Sequence, residues 1–163
     1  VDVVLVQLEI PADAAEAALA AGRRAGARTI LNAAPTEGMT AGLLDVADIV
    51  VVNETEAAAL GGADHILSAG PAAVIVTLGS RGAIWLHRTD GTLDVDAFLV
   101  DAVDTTGSGD AFCGALAAAL SSGSDILSAM LRASAAGAIV ATALGAQTEL
   151  LSPDAIDRLV SAR

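Results

Sequence analysis

The chain has 163 residues, with eight Lys+Arg against 20 Asp+Glu and a formal net charge of -12. All eight basic residues are arginine, and so acidic a surface repels phosphate backbones, which argues against a nucleic-acid partner. Hydrophobic residues make up 54% and aromatic ones 2% (Trp85, Phe98 and Phe112), which excludes both a disordered chain and an aromatic base-stacking platform.

The length suits one domain with a sizeable core. The single Cys113 excludes an intrachain disulfide and a cysteine zinc site, and it fits a reducing cytoplasm. The longest stretch free of formal charge, residues 133–148, is shorter than the roughly 18 apolar residues of a spanning helix, so no membrane association is expected. No basic segment followed by an apolar core opens the chain, so no signal peptide is read there. Val1 leads straight into an apolar run, and we expect the chain to be part of a longer product.

Residues 3–8 read as a buried strand, and Pro11-Ala12-Asp13 opens a helix to about residue 25. Residues 28–32 form the next predicted strand, residues 49–52 a third ending at Asn53, and residues 74–78 a fourth ending at Gly79. These apolar runs are continuous rather than alternating. That pattern predicts strands covered on both faces, as in a parallel sheet with crossover helices. Residues 82–87 and 92–100, separated by Asp90-Gly91, read as a hairpin. Helices are predicted over residues 108–120 and 124–144, the second stopped by Gly145. Ser152-Pro153-Asp154 caps a last helix with Ile156, Leu159 and Val160 on one face. The fold class is therefore α/β, with no repeat and no second domain.

In such sheets ligands sit beyond the carboxyl ends of the strands. Glu9, Asn32, Asn53, Glu56, Thr77 and Gly79 all lie there, although each alone is also ordinary turn chemistry. The most informative segment is Asp104-Thr105-Thr106-Gly107-Ser108-Gly109-Asp110, a glycine-rich turn entering an apolar helix. Gly107 and Gly109 let backbone N–H groups point outward. The unsatisfied amides of the first helical turn add partial positive charge. Together they make an anion site from main chain alone, which suits a chain without lysine. Asp110 beside such a site is repulsive unless it works, and a general base for a hydroxyl is one role for it. The plainer alternative is an acid that satisfies helix-start amides.

The segment from Asp104 to Phe112 closely resembles the C-terminal signature of the PfkB carbohydrate kinase family. Gln7-Leu8-Glu9, Asn53-Glu54-Thr55-Glu56, Thr77-Leu78-Gly79-Ser80-Arg81-Gly82 and Gly145-Ala146-Gln147 are similar to its ribokinase-like branch, in the same order. The resemblance implies a ribokinase-like, Rossmann-like fold with a mostly parallel sheet and helices on both faces, incomplete at its N-terminal side. Residues 1–163 would be the C-terminal nucleotide-binding and catalytic portion, lacking the half that carries the lid and most sugar contacts.

It further implies an ATP-dependent sugar kinase, most simply one acting on the 5-OH of ribose. Asp110 would be the base, and Gly107, Ser108 and Gly109 the anion hole. Asn53 would touch the nucleotide phosphates, and Glu56 would place Mg²⁺ through water. Thr77, Leu78, Gly79, Ser80, Arg81 and Gly82 would line the nucleotide with Gly109 and Asp110, and Ser134 would lie near the adenine. Glu9 would bind a sugar hydroxyl. A K⁺ site would fall on Asp104, Thr106 and Glu149 with carbonyls of Val140, Ala143 and Gly145. Ser108 replaces the usual Ala or Gly, Glu149 a small hydroxyl residue, and the connection from Glu56 to Val74 is short. Another sugar or a nucleoside as substrate, or an inactive nucleotide-binding fragment, are the rival readings. A homodimer is expected only of a longer protein.

Other candidates have plainer readings. His65 and His87 lack metal-ligand spacing and read as surface or loop residues. Cys113 reads as a small buried hydrophobe, and Asp90, Asp94, Asp96 and Asp101 as solvated hairpin surface.

Overall fold

The computed structural model describes residues 1–163, which divide into two units. Unit 1 comprises Val1–Leu78 and Ile84–Asp94; unit 2 comprises Gly79–Ala83 and Val95–Arg163.

Unit 1 begins with β1 (Val3–Gln7), α1 (Ala12–Arg24) and β2 (Arg28–Asn32), then α2 (Ala41–Val46) and β3 (Ile49–Asn53). The short helices α3 (Glu54–Ala59) and α4 (Ala63–Ala69) lead to β4 (Ala73–Thr77). β5 (Ala83–His87) and β6 (Gly91–Val95) complete a six-stranded sheet in the order β1-β2-β3-β4-β5-β6. β1 through β4 are parallel, with Gln7 opposite Asn32 and Asn53 opposite Thr77. That register brings the strand ends named by the sequence to one edge. Arg88 N donates to Ala72 O at 3.0 Å, so β5 runs antiparallel to β4 and the sheet is mixed.

Leu31, Val50, Val52, Val74 and Val76 pack with Leu19, Leu43 and Ile66 of the helices in one core. Ile30 and Ile75 alternate with these strand residues and are also fully buried. The continuous apolar runs of β2 to β4 thus correspond to strands covered on both faces. β1 departs from that expectation. All five of its residues are only half-buried, because it is an edge strand of this sheet.

Unit 2 holds α5 (Ser108–Ser121), α6 (Ile126–Ala141) and α7 (Pro153–Ser161). Ala135, Ala136 and Ile156 form a buried cluster with Phe98, Ala111, Ala115, Leu159 and Val160 around it. An Arg132–Asp157 ion pair ties α6 to α7. Ser152 Oγ accepts from Ala155 N at 3.2 Å with Pro153 at the helix start, the cap its sequence specifies.

Two boundaries fall short of expectation. β6 stops at Val95 instead of continuing to residue 100, because Phe98 packs into the α6–α7 cluster and takes the chain off the sheet. α6 stops at Ala141 instead of residue 144. There Thr142 Oγ1 donates to Ile139 O at 2.8 Å and Gly145 N is held by Asp104, so the last turn cannot continue.

Candidate active site

Gly107 is the N-cap of α5 and adopts the left-handed region, φ 78°. A Cβ at this position would lie 2.8 Å from Ala146 O and 2.9 Å from Ala146 Cα, so both conformation and space require glycine. Gly107 O accepts Ala111 N at 2.9 Å, which starts the helix. The amides of Gly107 and Gly109 have no main-chain acceptor. The Ser108 amide does: it donates to Thr105 O at 3.1 Å. This corrects the expectation of three free amides, since a tight turn closes on Ser108 before the helix begins. The donors that remain are those of Gly107 and Gly109, at the positive end of a 14-residue helix.

Asp110 is exposed in the first turn of α5, three residues past the cap. Asp104 accepts Thr106 Oγ1 at 2.6 Å and Thr106 N at 2.9 Å on Oδ1, and Gly145 N at 2.9 Å on Oδ2. The Thr106 hydroxyl first, then the two amides, hold the Asp104 carboxyl below its usual range. One carboxylate therefore ties the glycine turn to the loop after α6. The sequence showed Asp104 and Gly145 as separate motif positions; Ala146 as the surface against Gly107 gave no signal at all.

Asp104, Thr106 and Gly145 are thus brought together by donors that converge on one carboxylate. A carboxylate offers about four acceptor positions, and three are in use, so one remains on Oδ2 beside Gly145. The Val140 carbonyl accepts Ala143 N at 3.1 Å, and Glu149 is exposed. Ser134, on α6, is half-buried, and its hydroxyl is buried without a hydrogen-bond partner, which leaves a donor for a polar ligand atom. Gly79–Arg81 form a 3-10 turn closed by Gly82 N on Gly79 O at 3.1 Å. Gly82 has φ 100°, and its Cβ would overlap Val95 O at 2.0 Å. Ser80 and Arg81 are exposed on that turn.

In unit 1, Asn53 and Glu56 are a reciprocal capping box. Asn53 Oδ1 accepts Glu56 N at 2.8 Å, and Glu56 Oε2 accepts Asn53 N at 2.7 Å. The box leaves Asn53 Nδ2 as a donor and Glu56 Oε1 as an acceptor beyond the β3 end. No group of three or more His, Cys, Asp or Glu side chains is placed to hold a metal. Such a donor set fits Mg²⁺ only in its usual manner, through water and phosphate from one carboxylate. Thr77 Oγ1 makes a long contact of 3.4 Å to Val52 O, Leu78 is half-buried, and Glu9 is exposed in the turn after β1.

Cys113 is buried. His65 is exposed on α4, whereas His87 is half-buried on β5, its ring stacked on Trp85 at 5.6 Å. No helix is long and apolar enough to cross a membrane.

A largely parallel sheet with its turn motifs at the strand ends, and a glycine turn capping a helix, define a ribokinase-like α/β fold. Residues 1–153 match the pfkB family carbohydrate kinases, and the chain belongs to that family. It is 36% identical over 173 residues to the bifunctional ribokinase/ribose-5-phosphate isomerase A of Fructilactobacillus sanfranciscensis, covering 98% of this chain and 32% of that protein. The ribokinase structure from Thermotoga maritima superposes with a TM-score of 0.90 at 31% identity, covering 98% of this chain and 57% of the other. That of Arabidopsis thaliana ribokinase complexed with ribose and ATP gives 0.86 at 28% identity, covering 97% and 55%. The chain thus spans about a third to somewhat more than half the length of these relatives.

Proposed function

We propose that this chain is the nucleotide-binding and catalytic part of an ATP-dependent sugar kinase, with the 5-OH of ribose as acceptor. The observation that carries the reading is the α5 entry, where two main-chain amides without a main-chain acceptor adjoin a carboxylate on the same turn. Asp110 takes the proton as the sugar oxygen bonds to the γ-phosphorus. The bond from that phosphorus to the bridging oxygen breaks, and ADP leaves. The Gly107 and Gly109 amides and the helix end stabilise the charge on the transferring group.

In this reading Asn53 donates to nucleotide phosphate, and residues 77–82 with Ser134 line the nucleotide. Glu9 receives the sugar. Mg²⁺, held through water by Glu56, supplies charge neutralisation on the phosphates when bound. Asp104 and Gly145 would help to hold K⁺, which would supply positive charge near the anion site. The bound ribose and ATP of the Arabidopsis relative support these ligands by analogy.

Asp110→Asn in the kinase carrying this chain is expected to lower ADP release by about 10²–10⁴-fold, the range of a positioned base. Near-normal turnover would remove Asp110 from that role. The chain's share of its relatives' length favours a second reading, in which the 163 residues alone bind ATP without turnover. Calorimetric ATP titration and ADP release, measured on this chain and on one with upstream sequence, separate the two.

A further inference from the structure

Gly137 lies inside α6, a poor place for glycine on helix propensity alone. A Cβ there would stand 3.1 Å from the carbonyl oxygen of Ser108 and 3.9 Å from Phe112 Cβ. Ser108 is the first residue of α5, in the same turn as Gly109 and Asp110. Its hydroxyl is buried but finds no hydrogen-bond partner, so that group does not pin the turn. Bare backbone contact with α6 sets how deeply this end of α5 sits.

We propose that Gly137 is a positioning residue. By withholding a side chain it lets the first turn of α5 seat against α6, and so fixes where Gly109 and Asp110 lie. The proposal rests on the reading of Asp110 as the base. A methyl group at 137 requires the Ser108 carbonyl to yield by a few tenths of an ångström, since real Cβ contacts are rarely this close. That displacement falls on the turn that carries the chemistry, where about 1 Å of misplacement is worth about 10²-fold in rate. Gly114 provides the control. It is also a glycine inside a helix, α5 itself, but a Cβ there meets nothing within 4 Å.

The test compares Gly137→Ala, Gly114→Ala and Asp110→Asn in the kinase carrying this chain. Gly114→Ala removes a helix glycine in open space, so its Tm is expected to hold or rise by about 2–4 °C. Gly137→Ala gains the same propensity but gives it back against the Ser108 carbonyl, so its Tm is expected to stay within about 2–4 °C of the wild type. Gly114→Ala keeps kcat. Gly137→Ala lowers kcat by about 3–10-fold while KM for ATP and for sugar stays put. In the 163-residue chain itself, Gly137→Ala shifts the NMR amide signals of Gly107 and Gly109. Unmoved signals, a wild-type kcat, or a kcat loss that comes with a Tm fall well beyond about 4 °C would each overturn the proposal. Full turnover in Asp110→Asn would overturn the base and Gly137 together. Loss of turnover there beside an unaffected Gly137→Ala would overturn Gly137 alone.

Discussion

Asp104 accepts three hydrogen bonds with one carboxylate, two from Thr106 and one from Gly145, 41 residues away. An amide in its place keeps one acceptor oxygen and turns an NH₂ toward a donor, so Asp104→Asn breaks at least one of these links. Because the folded carboxyl titrates below its ordinary value of 3.8, its stabilising contribution is complete above that value. The contribution fades as pH falls from there through the lower folded value. Urea unfolding of the wild type is expected to weaken below about pH 4, and Asp104→Asn to lack that component of the decline. Identical acid limbs in the two proteins would refute the assignment. Asp110 and the two glycines were legible from sequence, because residue type and spacing alone dictate a turn with exposed amides. The Asp104–Gly145 link and the Gly137 contact were not. Both are set by where the C-terminal end of α6 and the entry to α5 meet, and no local pattern encodes that.

At the scale of elements, β2, β3 and β4 were legible because a strand covered on both faces has few alternatives to a run of Val, Ile and Leu. The helices α2, α3 and α4 were not, since six or seven residues contain under two turns and show no usable periodicity. The α3 box shows how a motif serves two purposes. Asn53→Asp keeps the oxygen that caps Glu56 N but deletes the Nδ2 donor. Its Tm is expected to stay near the wild type while KM for ATP rises in the kinase carrying this chain. Asn53→Ala loses the cap too, at about 0.5–2 kcal/mol. An unchanged KM in Asn53→Asp would leave Asn53 as a cap only. Between β2 and β3 a different device operates. The fully buried Thr29 donates through N to Asp48 Oδ2 at 2.8 Å, and its hydroxyl lies 2.8 Å from Val46 O and 2.9 Å from Asp48 Oδ2. Thr29→Val retains the shape and removes that hydroxyl, which is expected to cost about 1–3 kcal/mol in denaturant unfolding.

Across the whole molecule the class of fold was visible in the alternation of apolar runs and Ala-rich stretches. The division into two units was not. The chain passes between them near residues 78, 83 and 94, and no long Pro-, Gly- or Ser-rich stretch marks those crossings. The charge balance was plain from composition, and the structure gives it a physical consequence. Twenty acids face eight arginines, and two of those arginines, Arg23 and Arg88, bind carbonyls. Arg88 Nη2 donates to Leu67 O, Gly70 O and Pro71 O, and Arg23 to Asp45 O. Arginine ion pairs join Arg132 to Asp157 and Arg163 to Asp96, both at exposed carboxylates. Exposed pairs of this kind contribute about 0–1 kcal/mol each, so attraction does not offset repulsion among the remaining carboxylates. Salt therefore acts here mainly by screening repulsion, as the Debye length falls from about 10 Å at 0.1 M to about 3 Å at 1 M. Tm of the 163-residue chain is expected to rise steadily with NaCl over that range. A chain held by surface ion pairs would show the reverse, and a flat or falling Tm would mean that its acids are already compensated.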